Sequence, residues 1–291
     1  MPLSSDPRCL ECFRSGFGAF SGRGGAESPG LGRALQEALD LVAERLPHHA
    51  PPVAGAPGYA HLCRYLGADD LFAAEKRALT QELLSQLDRI RPGIATSPRP
   101  ATAALRAGVW GNLLDVAQGH RLPDPDELQE LFGHPLAVDD TEEFLDRLES
   151  ASLLLILGDN AGETVLDRLF LETASPGAEV VYTVRPEPVM NDAILADAEM
   201  AGLHRLAELV DTGCAAPTVM PGLVSPRLQR LLGEADLVLS KGQGNLEGLL
   251  GTSDERLFYS FVVKCGVIAD ATGLPLRSGV FARSTRLPQR R

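Results

Sequence analysis

Short apolar runs that alternate with helix-like stretches are the feature that most restricts how the second half of this chain can fold. Buried parallel strands read as near-continuous apolar runs, because helices cover both faces of the sheet that they form. The pattern therefore predicts an α/β fold with a doubly wound, mostly parallel sheet as the middle of three layers. The predicted strands are Leu153–Leu157, Val180–Val184, Leu206–Val210, Leu237–Leu239 and Phe261–Ile268, and the predicted helices are Ala161–Glu172, Asp192–Ala201, Pro226–Leu232 and a segment around Asp254–Tyr259.

The first half of the chain has the period of α-helices. Between Leu31 and Arg147 the apolar residues recur every three or four positions. Clusters rich in Pro and Gly at 48–58, 91–100 and 119–125 interrupt this pattern and predict helix connections, and the Gly- and Ser-rich stretch 15–30 predicts a loop. We therefore predict a mostly helical domain at residues 1–147 and an α/β domain at residues 148–291.

The balance of charge excludes two classes of partner. The chain has 39 Asp and Glu residues against 27 Lys and Arg, which gives a net charge of −12. Nucleic acids and anionic membranes both attract concentrated positive charge, so we expect neither as a partner. No run reaches the ~18 apolar residues of a membrane span, and the N-terminus lacks the apolar core of a secretory signal. The five cysteines make a poor disulfide framework, so the sequence predicts a cytoplasmic protein.

Acidic and amide residues follow the first two predicted strands. Asp159 and Asn160 come directly after the first strand, and Asn191 and Asp192 precede the helix after the second. Each pair taken alone also fits a helix cap. Because neighbouring strand ends converge in a doubly wound sheet, Asp159, Asn160 and Asp192 can share one cation. Mg²⁺ and Mn²⁺ favour such a set of oxygen ligands.

A lysine in a Gly-rich segment follows the fourth predicted strand. Lys241 precedes Gly242 and Gly244, and a lysine beside exposed backbone N–H groups is well suited to bind a phosphate oxygen. The alternative is a Gly-rich turn with a solvated lysine. Together with the two acidic pairs, this segment favours a metal site that faces a phosphate group.

Four segments in this order resemble the damage-control phosphatase family, and they match its prokaryotic branch best. They are LLLILGDNAGETVLD, VVYTVRPEPVMNDAILADA, VDTG and ADLVLSKGQGNLE, and CLEC, DDLFAAEK and AGVWGNLLD in the first half also match. The chain has Ile194 and Leu246 where the family usually has Thr and an aromatic residue. The family, also known as a domain of unknown function with an acidic-residue-methyltransferase-like metal-binding fold, implies an α/β domain and a helical domain packed around one site.

The resemblance implies a divalent-metal-dependent phosphatase that acts on small phosphorylated metabolites, such as sugar phosphates or damaged phospho-metabolites. It assigns the metal to Asp159, Asn160 and Asp192, and Mg²⁺, Mn²⁺, Co²⁺ or Ni²⁺ is the expected cofactor. Lys241 matches the family's phosphate-binding lysine. Asn112 and Asp115 share one face of a predicted helix, and the resemblance implies that this face borders the active site. A polar stripe on an otherwise packed helix is the alternative.

We predict that phosphomonoester hydrolysis is catalysed by Asp159, Glu163 and Lys241. Glu163 would orient water, and Lys241 would stabilise the transferring phosphoryl group. Asp167 is a weaker candidate, which would support these residues without contacting the substrate. Direct attack on phosphorus by Asp159 and attack by water both stay open. The residues predicted to contact substrate are Lys241, Asn112, Gly242, Gly244 and Asn245.

Two other functions stay open at this stage. An adenosylmethionine-dependent carboxyl methyltransferase would bind its cofactor at a similar strand end, although the GDNAGE segment is poor in glycine for that role. A non-catalytic sugar-phosphate-binding protein would use the same residues without turnover.

Two weaker signals lie in the helical half. Cys9 and Cys12 form a single C-x-x-C pair. Cys63 and His61 are the candidates for the two further ligands that a zinc site needs. The alternative is that the cysteines are isolated thiols. Asp69, Asp70 and Lys76 also match the family pattern. A helix cap and a solvated lysine explain these residues equally well.

Overall fold

The computed structural model of the chain describes residues 6–22, 30–114 and 124–288. The helices of the first half are α1 (Pro7–Gly18), α2 (Leu31–Arg45), α3 (Pro51–Leu66), α4 (Ala73–Ala95), α5 (Pro100–Gly111), α6 (Pro125–Phe132) and α7 (Thr141–Leu148). Those of the second half are α8 (Glu163–Ala174), α9 (Leu195–Ala201), α10 (Pro226–Glu234), α11 (Gly242–Leu249) and α12 (Gly266–Thr272). Short 3₁₀ turns occupy Ala19–Gly22, Leu203–Arg205 and Ser284–Arg286.

Seven strands within the described residues form one sheet. They are β1 (Val138–Asp139), β2 (Leu153–Leu157), β3 (Glu179–Val184), β4 (Glu208–Asp211), β5 (Leu237–Lys241), β6 (Leu257–Val262) and β7 (Gly279–Arg283). Their order is β1-β7-β6-β5-β2-β3-β4, and neighbouring strands run parallel except for β6 and β7. The chain winds from β2 out to β4 and then returns to the other side of β2 as β5. The point at which the winding reverses therefore lies between β2 and β5, where ligands of such sheets bind.

Alternate side chains of the strands enter separate cores on the two faces of the sheet. Leu154 and Ile156 of β2 join a cluster that includes Val165 and Leu169 of α8. Leu155 and Leu157 face the opposite way, into a second cluster with Leu228 of α10 and Leu246 and Leu249 of α11. Helices thus cover both faces, and the predicted three-layer α/β fold with a mostly parallel sheet is confirmed.

The strand predicted at Phe261–Ile268 and the helix predicted around Asp254–Tyr259 are wrong. The strand β6 lies earlier, at Leu257–Val262, where all six residues are buried and four are aromatic or β-branched. Gly266 then begins α12, so the apolar residues after it belong to a helix. The apolar run therefore joined the end of a strand to the start of a helix, which periodicity alone does not separate.

Several other boundaries differ from the sequence prediction, among them the predicted connection 91–100, in which α4 continues as far as Ala95. The Gly-rich segment after Lys241 is the helix α11 and not a turn. The cluster 48–58 is largely α3, which begins with Pro51 and Pro52 because proline is favoured at the first positions of a helix. The predicted helix Asp192–Ala201 begins only at Leu195, since Asp192 pairs with Asn160 instead. In the predicted loop 15–30, the first residues end α1, and residues 23–29 lie outside the described ranges. Asp115 also lies outside the residues that the structure describes.

The helical half packs directly onto the sheet. Leu83 of α4 and Leu105 of α5 share a core cluster with Ile156 of β2, and Val138 of β1 pairs with Val280 of β7. The domain boundary at residue 147 stays a prediction. No helix among the described residues is long and apolar enough to cross a membrane.

Candidate active site

The loops that follow β2 and β3 are hydrogen-bonded to each other at the carboxyl edge of the sheet. Asn160 and Asp192 form an isolated antiparallel bridge. The Ala193 N–H donates to the Asp159 carbonyl at 2.8 Å, and the Ala161 N–H donates to the Asn191 carbonyl at 3.0 Å. These bonds bring Asp159, Asn160 and Asp192 together from separate strand ends, beside the point where the winding of the sheet reverses.

Asp159 is a buried carboxylate among other acids. It is 7% exposed, and its Oδ2 accepts hydrogen bonds from the Nδ2 atoms of Asn112 and Asn160, each at 3.0 Å. Burial raises the pKa of Asp159 well above its ordinary value, and the nearby charges of Asp192 and Glu163 raise it further. The folded chain therefore holds this carboxylate where a negative charge is unfavourable unless a cation joins it.

Glu163 lies at the first position of α8 and joins the acidic pair to a buried lysine. Its Oε1 accepts from Asn112 at 2.6 Å and from Asn160 at 2.5 Å, while its Oε2 lies 3.2 Å from the Lys241 Nζ. The predicted catalytic residues Asp159, Glu163 and Lys241 therefore form one connected group. Asn112 also lies in this group, and its Oδ1 accepts from the Val262 N–H at 3.3 Å.

Lys241 is buried and not solvated. Its Nζ donates to Asp167 Oδ1 at 2.6 Å, to Glu163 Oε2 at 3.2 Å and to the Gly108 carbonyl at 3.4 Å, and the residue is 1% exposed. Burial alone lowers the pKa of a lysine, but the carboxylates of Asp167 and Glu163 raise the pKa of Lys241 above its ordinary value. Tyr182 donates to the other oxygen of Asp167 at 2.8 Å. Lys241 is thus a fixed positive charge inside the site.

The three other residues predicted to contact substrate take different places. The Gly242 backbone lies against the Asp159 carboxylate, at a φ of +77°. Gly244 packs against the backbone of Pro217. The Asn245 side chain is fully buried and bonded to backbone carbonyls and to Arg185. The substrate contacts of these residues stay predictions.

Replacement of Gly242 by alanine is expected to destabilise the fold through Asp159. A Cβ on Gly242 would clash with the Asp159 carboxylate, whereas one on Gly273, at a similar φ of +72°, would meet nothing within 4 Å. Backbone strain alone costs about 1–2 kcal/mol, and overpacking adds about 1–3 kcal/mol. Urea unfolding should therefore show a larger loss for Gly242→Ala than for the control Gly273→Ala. Equal losses would mean that Asp159 moves aside at no cost.

Sequence reasoning missed Arg185. This arginine directly follows β3, is 1% exposed, and donates from Nε to Asp192 Oδ2 at 2.7 Å. The signal was present, because a charged residue directly after a run of buried strand residues, at the ligand-binding edge, needs a buried partner. The proposed metal ligand Asp192 is therefore already one half of a buried ion pair.

A second buried ion cluster supports the loop that carries Asp192. The Lys76 Nζ lies 2.7 Å from Asp70 Oδ2 and 2.9 Å from Asp197 Oδ2, and it donates to the Asp192 carbonyl at 3.4 Å. Lys76 is 1% exposed, so the interpretation as a solvated lysine is wrong. Asp70 is also a cap, since its Oδ1 accepts from the Phe72 N–H at 2.8 Å. The cluster ties α4 to the strand-end loop.

Within the described residues, the cysteines do not form the candidate zinc site. Cys9 and Cys12 lie on α1 and Cys63 is buried in α3. Across residues 6–22, 30–114 and 124–288, no three His, Cys, Asp or Glu side chains are grouped as metal ligands. The candidate ligands after β2 and β3 are of a different kind, two acids and one amide.

The chemistry of the donors fits a divalent cation at the strand ends. Asp159 and Asp192 offer carboxylate oxygens, and the Asn160 amide nitrogen is used in hydrogen bonds, so its carbonyl oxygen is the atom suited to a cation. Among the described side chains that meet here, the buried carboxylates outnumber the buried cations. The carboxylates are Asp159, Glu163, Asp167 and Asp192, and the cations are Lys241 and Arg185. A divalent ion would balance this excess.

Comparisons with known proteins agree with this geometry. The family model described as "Damage-control phosphatase ARMT1-like domain" matches residues 5–279. A damage-control phosphatase of Pyrococcus horikoshii is 29% identical over 247 residues, which cover 84% of this chain and 85% of that protein. One of Archaeoglobus fulgidus is 26% identical over 258 residues, covering 84% and 86%.

A solved structure supports the same conclusion. The crystal structure of a DUF89 family protein from Pyrococcus horikoshii superposes with a TM-score of 0.88 at 26% identity, over 96% of this chain and 99% of that one. The resemblance seen in the sequence motifs is thereby confirmed, and the relatives support a phosphatase activity. The chain belongs to the ARMT1-like damage-control phosphatase family.

Proposed function

We propose that this chain is a divalent-metal-dependent phosphatase that hydrolyses phosphomonoesters of small metabolites. The observation that carries the proposal is the meeting of two buried acids, Asp159 and Asp192, beside Asn160 on two hydrogen-bonded loops. These three residues would hold the metal, with Mg²⁺, Mn²⁺, Co²⁺ and Ni²⁺ as candidates. When bound, the ion supplies positive charge that stabilises a transferring phosphoryl group and activates water.

The chain's own residues supply the other parts of the reaction. Glu163 is fixed by the amides of Asn112 and Asn160, which also donate to Asp159 and so hold the two carboxylates side by side. Lys241 adds a positive charge, and its contact of 3.4 Å with the Gly108 carbonyl is the one that a phosphate oxygen replaces most easily. In the transition state, negative charge is spread over the three oxygens of the phosphoryl group, and a fixed positive charge in a buried site stabilises it.

Attack on phosphorus by water and attack by Asp159 itself are both compatible with this site. Two amide N–H groups donate to Asp159 Oδ2, which leaves Oδ1 as the oxygen that would attack in the second route. Trapping with a phosphate mimic such as beryllium fluoride distinguishes the routes. A stable adduct on Asp159 would indicate direct attack, and its absence in an active enzyme would support water.

Small phosphorylated metabolites are the proposed substrates, and nucleic acids and membranes are not. The net charge of −12 opposes binding of a polyanion. The charge of one small phosphate group, by contrast, can be neutralised locally by Lys241 and a bound cation. The motif resemblance to the damage-control phosphatases supports sugar phosphates and damaged phospho-metabolites as the candidate substrates.

Hydrolysis of p-nitrophenyl phosphate by the purified chain is expected to depend on added metal. Chelator-treated protein should be inactive, and Mn²⁺, Co²⁺, Ni²⁺ or Mg²⁺ should restore turnover. Protein with Asp159→Asn, purified in the same way, controls for a contaminating phosphatase. Binding of a sugar phosphate without turnover under all four metals would favour the non-catalytic alternative, and calorimetric binding of adenosylmethionine would favour the methyltransferase.

A further inference from the structure

Arg185 connects the loop of Asp192 to the ends of two other strands. Its Nε donates to Asp192 Oδ2 at 2.7 Å, and its Nη2 donates to Asn245 Oδ1 at 3.0 Å and to the Gly158 carbonyl at 3.5 Å. Gly158 directly precedes Asp159. One guanidinium therefore contacts one proposed metal ligand and the backbone next to another.

Asn245 extends this connection to β2 and β5. Its Nδ2 donates to the carbonyls of Leu157, Gly158 and Lys241 at 3.3, 2.9 and 2.8 Å. We call the pair the Arg185–Asn245 clamp. It joins the carboxyl ends of β2, β3 and β5, which are the strands that carry the proposed site.

Stability alone explains this arrangement poorly. Arg185 is 1% exposed, and within the described residues its Nη1 is buried without a hydrogen-bond partner. A buried ion pair often adds no more to stability than apolar side chains of the same volume, and an unpaired buried donor has its own cost. Since Arg185 adds little to stability, its main effect is to fix the position of the Asp192 carboxylate.

We propose that Arg185 is a positioning residue that fixes the Asp192 carboxylate beside Asp159 for metal binding, and this inference rests on the proposed function. Asp159 is oriented by the amides of Asn112 and Asn160. Asp192 would otherwise turn away from it, because like charges at close range repel. Through the clamp, Arg185 prevents that rotation and keeps both carboxylates in place before the cation arrives.

Charge and position lead to opposite expectations for Arg185. If the arginine acted only through its charge, its removal would strengthen the attraction of the site for a cation. If it acts by position, its removal weakens cation binding even though the site becomes more negative. Arg185→Lys separates the two effects again, since lysine keeps the charge but cannot donate to Asp192, Asn245 and Gly158 from one planar group.

The test is the Kd for Mn²⁺ alone, measured on chelator-treated protein by electron paramagnetic resonance of the free ion. We expect binding to weaken about 10–100-fold in Arg185→Gln, as is typical when a residue that orients a metal ligand is lost, and to weaken also in Arg185→Lys. The matched control is Arg168→Gln on α8, which removes an arginine paired with Glu172 and should leave the Kd unchanged. Circular dichroism and melting curves verify the fold of each variant.

The outcomes decide the inference separately from the proposed function. Tighter Mn²⁺ binding by Arg185→Gln, or an unchanged Kd in Arg185→Lys, would overturn the positioning role while leaving the metal site intact. If Arg185→Gln does not fold, Arg185→Lys decides alone. If the parent chain binds neither Mn²⁺ nor any of the other three metals, the proposed metal site is overturned and the inference with it.

Discussion

Asp159→Asn is expected to abolish metal-dependent hydrolysis without lowering the melting temperature of the metal-free protein. The substitution removes a charged ligand, and loss of several kcal/mol of stabilisation corresponds to a fall in turnover of at least about 10³-fold. The metal-free fold loses a buried charge that Asp192 and Glu163 make unfavourable. An amide oxygen at the same place can still accept from Asn112 and Asn160.

Four melting curves test this expectation, for the parent and for Asp159→Asn, each with and without Mn²⁺. A cation that binds only the folded parent adds about 2.7 kcal/mol at 100 times its Kd, and this gain should vanish in the variant. Asp88→Asn, which removes an exposed acid of α4, is the control and should keep the full gain. A parent-sized metal shift in Asp159→Asn would show that Asp159 is not a ligand.

Lys241→Met is expected to reduce both stability and turnover. The carboxylates of Asp167 and Glu163 would lose the buried cation that lies 2.6 and 3.2 Å from them. Removal of one partner from a buried ion pair costs about 3–5 kcal/mol. Loss of one charged contact in the transition state lowers turnover by about 10²–10³-fold. Mn²⁺ binding should survive, since Lys241 is not a proposed ligand.

A double variant separates the two effects of Lys241. In Lys241→Met with Asp167→Asn, one of the two orphaned charges is gone, and the asparagine oxygen can still accept from Tyr182. Urea unfolding should therefore show that part of the lost stability returns, whereas steady-state kinetics should stay as slow as in the single variant. If turnover returns together with stability, Lys241 has only a structural role.

The sequence was informative where burial leaves a simple pattern. The apolar run Leu153–Leu157 matches β2 residue for residue, and a polar pair after such a run must lie at the edge of the sheet. The convergence of Asp159 and Asp192 could be predicted for that reason. The family resemblance added Asn112, which no periodicity would have placed 3.0 Å from Asp159.

The sequence was not informative where a residue depends on distant partners. Lys76 looks like any lysine on an amphipathic helix, and only the fold shows that Asp70 and Asp197 enclose it. Tyr182 reads as an ordinary strand aromatic, although its hydroxyl meets Asp167. Ion pairs across such separations carry no local signal, because neither partner changes the propensity or periodicity of its own segment.

The bond between the Val262 N–H and the Asn112 side chain spans 150 residues, and the contact between Lys241 and Gly108 spans 133. Contacts of such separation form only after the entropy of closing a long loop has been overcome. During synthesis, β2 and β3 can pair before β5 and β6 have emerged, but Glu163 and Asp167 then lack Lys241, and Asn112 lacks its bond to β6. A nascent chain therefore acquires its complete site only after residue 262 has left the ribosome.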